Sequence, residues 1–258
     1  MNPAVVVDVG NSRIKWGRCA ENRVAEMASL PHDEESAWQR QLDAWQIAPG
    51  STWAVSGVQP QVRTKLVEWL ERLGAKVIVL ESFHQLLIPV IAVEHPEQVG
   101  LDRLLNAVAV NSVRAPDNAA IIIDAGTAVT VDYVDAAGVF WGGAILPGLR
   151  LMAKALHDYT ALLPFVEVAD WVEPPGRNTE KALQSGIFRA VLGGIDRLVL
   201  ELMAYAGGPC EVYMAGGDAS LLAPYLTCPT VTPHLQLRES VWPEMTLEGI
   251  RLSVISHE

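Results

Sequence analysis

One short motif occurs twice in the chain and constrains its fold more than any other feature. The first copy, AVVVDVG, begins at residue 4 and the second, AIIIDAG, begins at residue 120, so equivalent positions differ by a constant offset of 116. In each copy a run of β-branched residues predicts a buried strand. The glycine that follows Asp8 or Asp124 predicts a turn into a second strand. The sequence therefore predicts a duplicated strand–turn–strand unit.

The remaining elements extend each copy into an α/β unit. Three consecutive strands are predicted in each half. They lie at 4–8, 13–18 and 23–29 in the first half, and at 120–124, 128–134 and 139–141 in the second. The strand–helix–strand order from WAVSGV to AKVIVL implies parallel pairing with a helical crossover, so we expect a mixed sheet. The turn-forming stretch RAPDN marks a boundary, and we predict an N-terminal domain at 1–117 and a C-terminal domain at 118–258.

A long helix is predicted to begin at about Thr179, because apolar residues recur there at helical spacing and Asn178 or Thr179 can cap it. Gly186, Gly193 and Gly194 lie inside this helix, and each costs up to about 1 kcal/mol relative to alanine. We interpret them as positions of close packing on another helix or on another subunit. The sequence therefore predicts a homodimer.

Composition and charge exclude several classes of partner. The 258 residues carry a formal net charge of −11, which argues against an electrostatic surface for nucleic acid. The longest apolar run, LLIPVIAV from residue 86, is far too short to span a membrane. Cys19, Cys210 and Cys228 form no Cys-x-x-Cys pair, and the histidines show no metal-ligand spacing. We expect a cytoplasmic protein with reduced thiols and without nucleic-acid or membrane partners.

Each predicted turn offers hydrogen-bond donors to an anion. A glycine turn can point backbone N–H groups at a phosphate, and Ser12, Lys15 and Thr127 add side-chain donors. A carboxylate repels phosphate, so Asp8 and Asp124 fit such a site only with a cation or an ordered water between them and the phosphate. The alternative is that each aspartate merely stabilises its turn. The recurrence of the turn, together with Lys15, favours phosphate binding, and we expect Asp8 to organise Mg²⁺.

Two further motifs have two interpretations each. Asp102 and Arg103 begin a predicted helix, where an aspartate gains about 0.3–1 kcal/mol from the helix dipole alone. The functional alternative is a general base beside an arginine that holds an anion. The Gly-Gly-Asp turn at 216–218 is either a tight strand-to-helix connection or a place for a nucleotide to lie against the backbone. The chain lacks the Gly-x-x-x-x-Gly-Lys-Ser/Thr loop and the Gly-x-Gly-x-x-Gly fingerprint, which disfavours those nucleotide-binding folds.

Five motifs in a fixed order resemble those of type III pantothenate kinase. They are Asp-x-Gly-Asn-Ser at 8–12, Gly-x-Asp-Arg at 100–103, Asp-x-Gly-Thr-Ala at 124–128, Gly-Gly-x-x-x-Pro-Gly at 142–148 and Gly-Gly-Asp at 216–218. The resemblance covers nearly the whole chain. It implies an α/β fold of two duplicated ribonuclease-H-like domains with mixed sheets and flanking helices, as in the superfamily of acetate and sugar kinases, Hsp70 and actin.

The resemblance also implies a reaction, cofactors and site residues. The reaction is ATP-dependent phosphorylation of pantothenate to 4'-phosphopantothenate, the first step of coenzyme A biosynthesis, with Mg²⁺ and a monovalent cation, K⁺ or NH₄⁺. The implied ATP contacts are Asp8, Val9, Gly10, Asn11, Ser12, Arg13, Ile14, Lys15 and Thr127. The implied pantothenate contacts are Gly100, Leu101, Asp102, Arg103 and Thr179. Asp102 is the implied base, Asp124 the implied ligand of the monovalent cation, and Thr179 is implied to lie near a dimer interface.

Two departures from the family pattern bear on the binding sites. Ser12 stands where threonine is common, which keeps the hydroxyl, and Val93 stands where many members carry a tyrosine. If that tyrosine contacts the substrate, this protein holds pantothenate differently. Two rival functions remain. One is a kinase of the same superfamily that acts on another small hydroxyl compound or on a carboxylate. The other is a non-catalytic ATP-binding regulator, against which the presence of Asp102 argues.

Overall fold

The computed structural model describes residues 2–88, 91–227 and 241–255, so Cys228 and part of the LLIPVIAV run lie outside the described residues. Its strands are β1 (Val5–Val9), β2 (Ile14–Ala20), β3 (Arg23–Leu30), β4 (Thr52–Gly57), β5 (Lys76–Val79), β6 (Ala119–Ala125), β7 (Ala128–Val134), β8 (Phe140–Pro147) and β9 (Cys210–Ala215). Its α-helices are α1 (Glu35–Trp45), α2 (Pro60–Arg72), α3 (Leu101–Val113), α4 (Leu149–Asp158), α5 (Thr179–Ala206), α6 (Ala219–Leu222) and α7 (Met245–Ile255). None of the described helices is long and apolar enough to cross a membrane.

The described residues divide into two compact units. One comprises the chain up to Val113 together with the residues from Glu244 onward, and the other comprises Arg114–Pro243. The boundary between the halves therefore falls at the start of the RAPDN stretch. At the C-terminus the division differs from our prediction, because α7 belongs to the first unit and not to the second.

The first unit is built on a five-stranded sheet of order β3-β2-β1-β4-β5. β1 is the central strand, antiparallel to β2 and parallel to β4, and all five of its residues are buried. A central strand that is covered on both faces needs a near-continuous apolar run, which explains the sequence VVVDV. The predicted mixed sheet is confirmed.

Tryptophans form much of the core on one face of this sheet. Trp16 and Trp53 meet edge to face with ring centroids 4.9 Å apart, and Trp38 and Trp69 do so at 5.5 Å. Trp45 lies in the same cluster. Such aromatic contacts add about 0.5–1.5 kcal/mol each beyond the apolar area that they bury. This core holds α1 and α2 against the sheet, and so it fixes the end of β1 from which the first repeated turn emerges.

Polar contacts tie α7 to the first unit. Thr246 donates a hydrogen bond to Asn106 of α3 at 2.8 Å, and Glu248 accepts one from the backbone N–H of Val24 in β3 at 2.5 Å. Glu248 also forms a buried ion pair with Arg251, with 2.6 Å between Oε2 and Nε. We predicted that residues 118–258 form one domain because they are continuous in sequence. These contacts instead attach α7 to the first unit, so the predicted C-terminal boundary was wrong.

The second unit repeats the strand order of the first in a four-stranded sheet, β8-β7-β6-β9. β6 is antiparallel to β7 and parallel to β9, as β1 is to β2 and β4. Val241 forms a parallel bridge to Met214 of β9, at the position that β5 occupies in the first sheet. The predicted strand at 139–141 is too short, because the residues from Gly143 to Pro147 also pair with β7 as part of β8.

The long helix α5 begins at Thr179, as predicted. Its N-cap is Asn178, whose side chain accepts a hydrogen bond from the N–H of Lys181 at 2.8 Å. Its core face consists of Ser185, Ile187, Phe188, Val191, Leu192, Ile195 and Val199. A Cβ atom placed on Gly186 or Gly193 meets no atom of the described chain within 4 Å. These two glycines therefore do not serve close packing within the described part of the chain.

Candidate active site

The first turn, Gly10–Arg13, joins β1 to β2. The N–H of Gly10 donates to the carbonyl oxygen of Arg13 at 3.1 Å, and Asp8 lies opposite Lys15 in the strand pair. Asp8 is only 7% exposed, whereas the residues at the tip of the turn are exposed. A buried carboxylate therefore lies behind an exposed turn whose backbone can donate hydrogen bonds.

The second turn, Gly126–Ala128, joins β6 to β7 and is one residue shorter than the first. The N–H of Gly126 donates to the carbonyl oxygen of Ala128 at 3.0 Å. A Cβ atom placed on Gly126 would lie 3.8 Å from Oδ1 of Asp124, and one placed on Gly10 would lie 3.9 Å from Oδ2 of Asp8. The duplication thus extends to the distance between each carboxylate and the glycine of its turn.

In each unit, the end of a further strand packs against the residue that precedes the turn. Gly57 ends β4 and Gly216 follows β9, with φ of +137° and +98°. A Cβ atom on Gly57 would lie 2.4 Å from the carbonyl oxygen of Val9, and one on Gly216 would lie 2.3 Å from that of Ala125, so only glycine permits this approach. The N–H of Asp218 also donates to the carbonyl oxygen of Ala125 at 2.9 Å. The Gly-Gly-Asp motif therefore lies against the strand that leads into the second turn.

A cleft of about 300 Å³ opens beside Asp218 in the second unit. Its lining consists of Leu149, Arg150, Phe165, Val166, Glu167, Val168 and Asp218. Burial raises the pKa of Asp218 above its usual value. Apolar walls with a few charged groups are typical of small-molecule sites. The sequence does not reveal this cleft, because part of its wall comes from a segment without regular secondary structure, where no periodicity shows which side chains meet.

Asp102 lies in the first turn of α3, as predicted. Its Oδ1 accepts a hydrogen bond from the N–H of Arg103 at 2.9 Å. A Cβ atom placed on Gly100 would lie 2.5 Å from this oxygen, so glycine at position 100 lets the carboxylate fold back over the start of the helix. The contact agrees with the helix-terminus interpretation. It also fixes the orientation of the carboxylate, which a general base requires.

The predicted site residues are distributed over both units. The first turn and the Gly100–Arg103 motif belong to the first unit, whereas Asp124, Thr127 and Thr179 belong to the second. Thr127 is exposed on the second turn, and Thr179 is exposed in the first turn of α5. Val93 is half-buried in the segment that precedes α3.

Comparison with known proteins identifies the family. Residues 4–201 match the family model of type III pantothenate kinase. The chain belongs to this family. The type III pantothenate kinase of Moorella thermoacetica is 32% identical over 261 residues, which cover 96% of this chain and 97% of the relative. That of Maricaulis maris is 38% identical over 194 residues, which cover 73% of this chain and 74% of the relative.

Solved structures are similar to this pantothenate kinase family member in fold. A 2-dehydro-3-deoxygalactonokinase-type protein from Sinorhizobium meliloti has a TM-score of 0.58 at 12% identity. The similarity covers 98% of this chain and 99% of that protein. The activator of 2-hydroxyisocaproyl-CoA dehydratase from Clostridium difficile has a TM-score of 0.50 at 12% identity. The similarity covers 98% of this chain and 93% of the activator. The predicted α/β fold of two duplicated units with mixed sheets and flanking helices is confirmed.

The surroundings of Asp124 fit the cation that the family resemblance implies. Among the described residues, no three or more His, Cys, Asp or Glu side chains form a group that could hold a metal ion. However, Thr130 lies opposite Asp124 in the β6–β7 pair. Its Oγ1 is buried and has no hydrogen-bond partner among the described residues. A carboxylate beside a buried hydroxyl suits a hard cation, which binds oxygen ligands. Thr130 was not predicted as a site residue, because its place beside Asp124 depends on the strand register.

Proposed function

We propose that this member of the type III pantothenate kinase family transfers the terminal phosphoryl group of ATP to the primary hydroxyl of pantothenate. The products are 4'-phosphopantothenate and ADP, and the reaction is the first step of coenzyme A biosynthesis. The family match over residues 4–201 carries the proposal, because this range contains both turns and the Gly100–Arg103 motif.

The first turn is the proposed main site for the ATP phosphates, with contacts along the stretch from Asp8 to Lys15. A turn of this kind offers several backbone N–H groups to one anion. Ser12 adds a hydroxyl donor and Lys15 a positive charge, and Thr127 supplies a further hydroxyl from the second turn. Phosphoryl transfer depends mainly on positioning and on neutralising phosphate charge, and these groups provide both.

Asp102 is the proposed general base. It accepts the proton of the pantothenate hydroxyl as that oxygen attacks the terminal phosphorus of ATP and ADP leaves with the electrons of the broken P–O bond. The hydrogen bond from the N–H of Arg103 to Oδ1 holds the carboxylate in one orientation. The Arg103 side chain is proposed to bind the negative charge of the substrate, while Gly100, Leu101 and Thr179 contact its uncharged parts.

Two cations complete the proposed site. Asp8 is proposed to organise Mg²⁺ through its waters, and Asp124 is proposed to hold K⁺ or NH₄⁺ with the help of the Thr130 hydroxyl. These ions supply positive charge that offsets both the carboxylates and the triphosphate. Within each unit, the strand pairing holds the carboxylate close to the glycine of its own turn.

We also propose that the enzyme is a homodimer and acts in the cytoplasm, where its phosphoryl donor is present. Gly186, Ala190 and Gly193 are exposed and follow one face of α5 at helical spacing. Leu200 continues this face and is 42% exposed. Small residues in such a row let a second helix approach closely, and the apolar Leu200 gains from being covered. These features favour a second copy of α5 as the partner.

The proposed function is tested by measuring ADP release from ATP by the purified protein, with pantothenate compared against a panel of other small hydroxyl compounds and sugars. We expect release that depends strictly on pantothenate. Equal or faster release with another acceptor would favour a different kinase of the superfamily. ATP binding without release with any acceptor would favour the regulator.

A further inference from the structure

Two side chains from outside the first turn contact its tip, one at the Gly10 carbonyl and the other at the Asn11 side chain. His32, in the connection between β3 and α1, places Nε2 at 3.0 Å from the carbonyl oxygen of Gly10. Gln59, the residue before α2, donates from Nε2 to Oδ1 of Asn11 at 3.0 Å. A carbonyl oxygen can only accept, so the Nε2 atom of His32 carries the hydrogen in this contact.

Holding the Gly10 carbonyl also sets the direction of a hydrogen-bond donor. The carbonyl of Gly10 and the N–H of Asn11 belong to one planar trans peptide, in which they point in opposite directions. If His32 fixes the oxygen on one side, the N–H of Asn11 must point to the other side. That N–H is one of the backbone donors that the turn offers to an anion.

The duplication gives a second and independent observation. His32 and Gly148 are equivalent at the offset of 116, within the sequences Leu-Pro-His and Leu-Pro-Gly. The N–H of Gly148 donates to the carbonyl oxygen of Thr127 at 3.1 Å, and a Cβ atom placed on Gly148 would lie 2.2 Å from the carbonyl oxygen of Gly126. The connection after the third strand thus supports the turn in both units, with a backbone N–H in the second and with the His32 imidazole in the first.

We propose that His32 is a positioning residue for phosphate binding: it donates to the Gly10 carbonyl and thereby aims the N–H of Asn11 at the phosphates of ATP. The inference rests on the proposed function only in assigning the ATP phosphates to the first turn. Gln59 assists by fixing the Asn11 side chain.

The test compares His32→Ala, His32→Gln and His32→Asn in the full-length protein. Glutamine can place an N–H donor close to the position of Nε2, whereas asparagine is too short. We expect His32→Ala and His32→Asn to weaken Mg·ATP binding, measured by titration calorimetry, by about fivefold, the loss typical of one hydrogen bond. We expect His32→Gln to bind within about twofold of wild type on the same scale, and the KM for pantothenate to stay unchanged in all three variants.

His84→Ala is the matched control, because His84 is an exposed histidine of the same unit; it should leave ATP affinity unchanged. Thermal unfolding of each variant shows whether it is folded, and the Gln and Asn variants decide the question if His32→Ala does not fold. Equal losses in His32→Gln and His32→Asn, or unchanged ATP affinity in His32→Ala, would overturn the inference. Normal ATP binding by the wild type without phosphorylation of pantothenate would instead overturn the proposed function. The ATP affinities of the His32 variants would still test the role of His32 in that case.

Discussion

Three aspartates carry most of the proposed chemistry, and their surroundings distinguish their roles. Asp8 is buried opposite Lys15, so a cation of the protein lies close to it in the strand pair. Asp124 is half-buried opposite Thr130, so a carboxylate and a hydroxyl are neighbours in this strand pair. Asp102 is fixed at a helix start by the N–H of Arg103. The first two are suited to organising charge, and the third to accepting a proton.

We predict that Asp102→Asn removes most turnover and leaves the fold and ATP binding nearly intact. Asparagine is similar in shape and keeps an oxygen that can accept from Arg103, but it cannot act as a base. A general base contributes about 10²–10⁴-fold, and we expect kcat to fall by that factor. Steady-state kinetics and ATP titration measure the two effects. Turnover within a few-fold of wild type would return Asp102 to a purely structural role at the helix terminus.

We predict that activity needs K⁺ or NH₄⁺ in addition to Mg²⁺, and that Asp124→Asn raises the KM for ATP and flattens the dependence on the monovalent ion. The reason is that the neutral amide no longer attracts the cation that offsets the triphosphate. Thr130→Val, which keeps the shape of the side chain and removes its hydroxyl, should shift the activation curve to higher K⁺, whereas Thr130→Ser should not. Full wild-type activity in Mg²⁺ and Na⁺ alone would contradict this prediction.

At the scale of secondary-structure elements, the sequence was most informative where periodicity is strong. The runs VVVDV and AIIIDA predicted the central strands, and helical spacing predicted α5 together with its start. β8 was predicted too short, because glycines that signal a loop can also sit in a strand that approaches its neighbour closely. The unit to which α7 belongs, the cleft beside Asp218 and the contact of His32 with the first turn could not be predicted, because each depends on contacts between segments far apart in sequence.

The buried ion pair in α7 gives a stability prediction at this scale. Arg251→Met removes the partner of Glu248, whose side chain is 9% exposed, and leaves a buried carboxylate without its counter-charge. We expect a loss of about 3–5 kcal/mol in the free energy of unfolding. The control is Lys154→Met, which breaks the pair between the exposed side chains of Lys154 and Asp158 in α4 and should cost less than about 1 kcal/mol. Equal losses in the two variants, measured by denaturant unfolding, would show that α7 does not anchor the first unit.

At the scale of the whole molecule, the acidic chain binds an anionic substrate. The formal net charge of −11 sets an unfavourable long-range field for ATP, so local donors and bound cations have to provide the attraction. Duplication meets this need by supplying a donor turn in each unit. The pattern was visible in the sequence, and the structure adds that the carboxylates, the turn glycines and the strand-end glycines all repeat with it.

We predict that the protein is a dimer whose interface includes the exposed face of α5. Gly193→Gln should weaken the dimer by about tenfold or more, because extra atoms in a close helix contact cost about 1–3 kcal/mol. The same change has open space within the described chain, so the fold should be retained. Lys181→Gln, at another exposed position of the helix, is the control. Sedimentation equilibrium measures both variants, and a stable, fully active wild-type monomer would contradict the prediction.

The most direct test of the central claim is to identify the reaction product. Purified protein is incubated with Mg·ATP, K⁺ and pantothenate, and the products are followed by phosphorus NMR and mass spectrometry, with Asp102→Asn as the parallel sample. The account predicts one phosphate monoester on the primary hydroxyl of pantothenate for each ADP formed, and almost none with the variant. ADP formation without phosphorylated pantothenate, or undiminished product with Asp102→Asn, would contradict it.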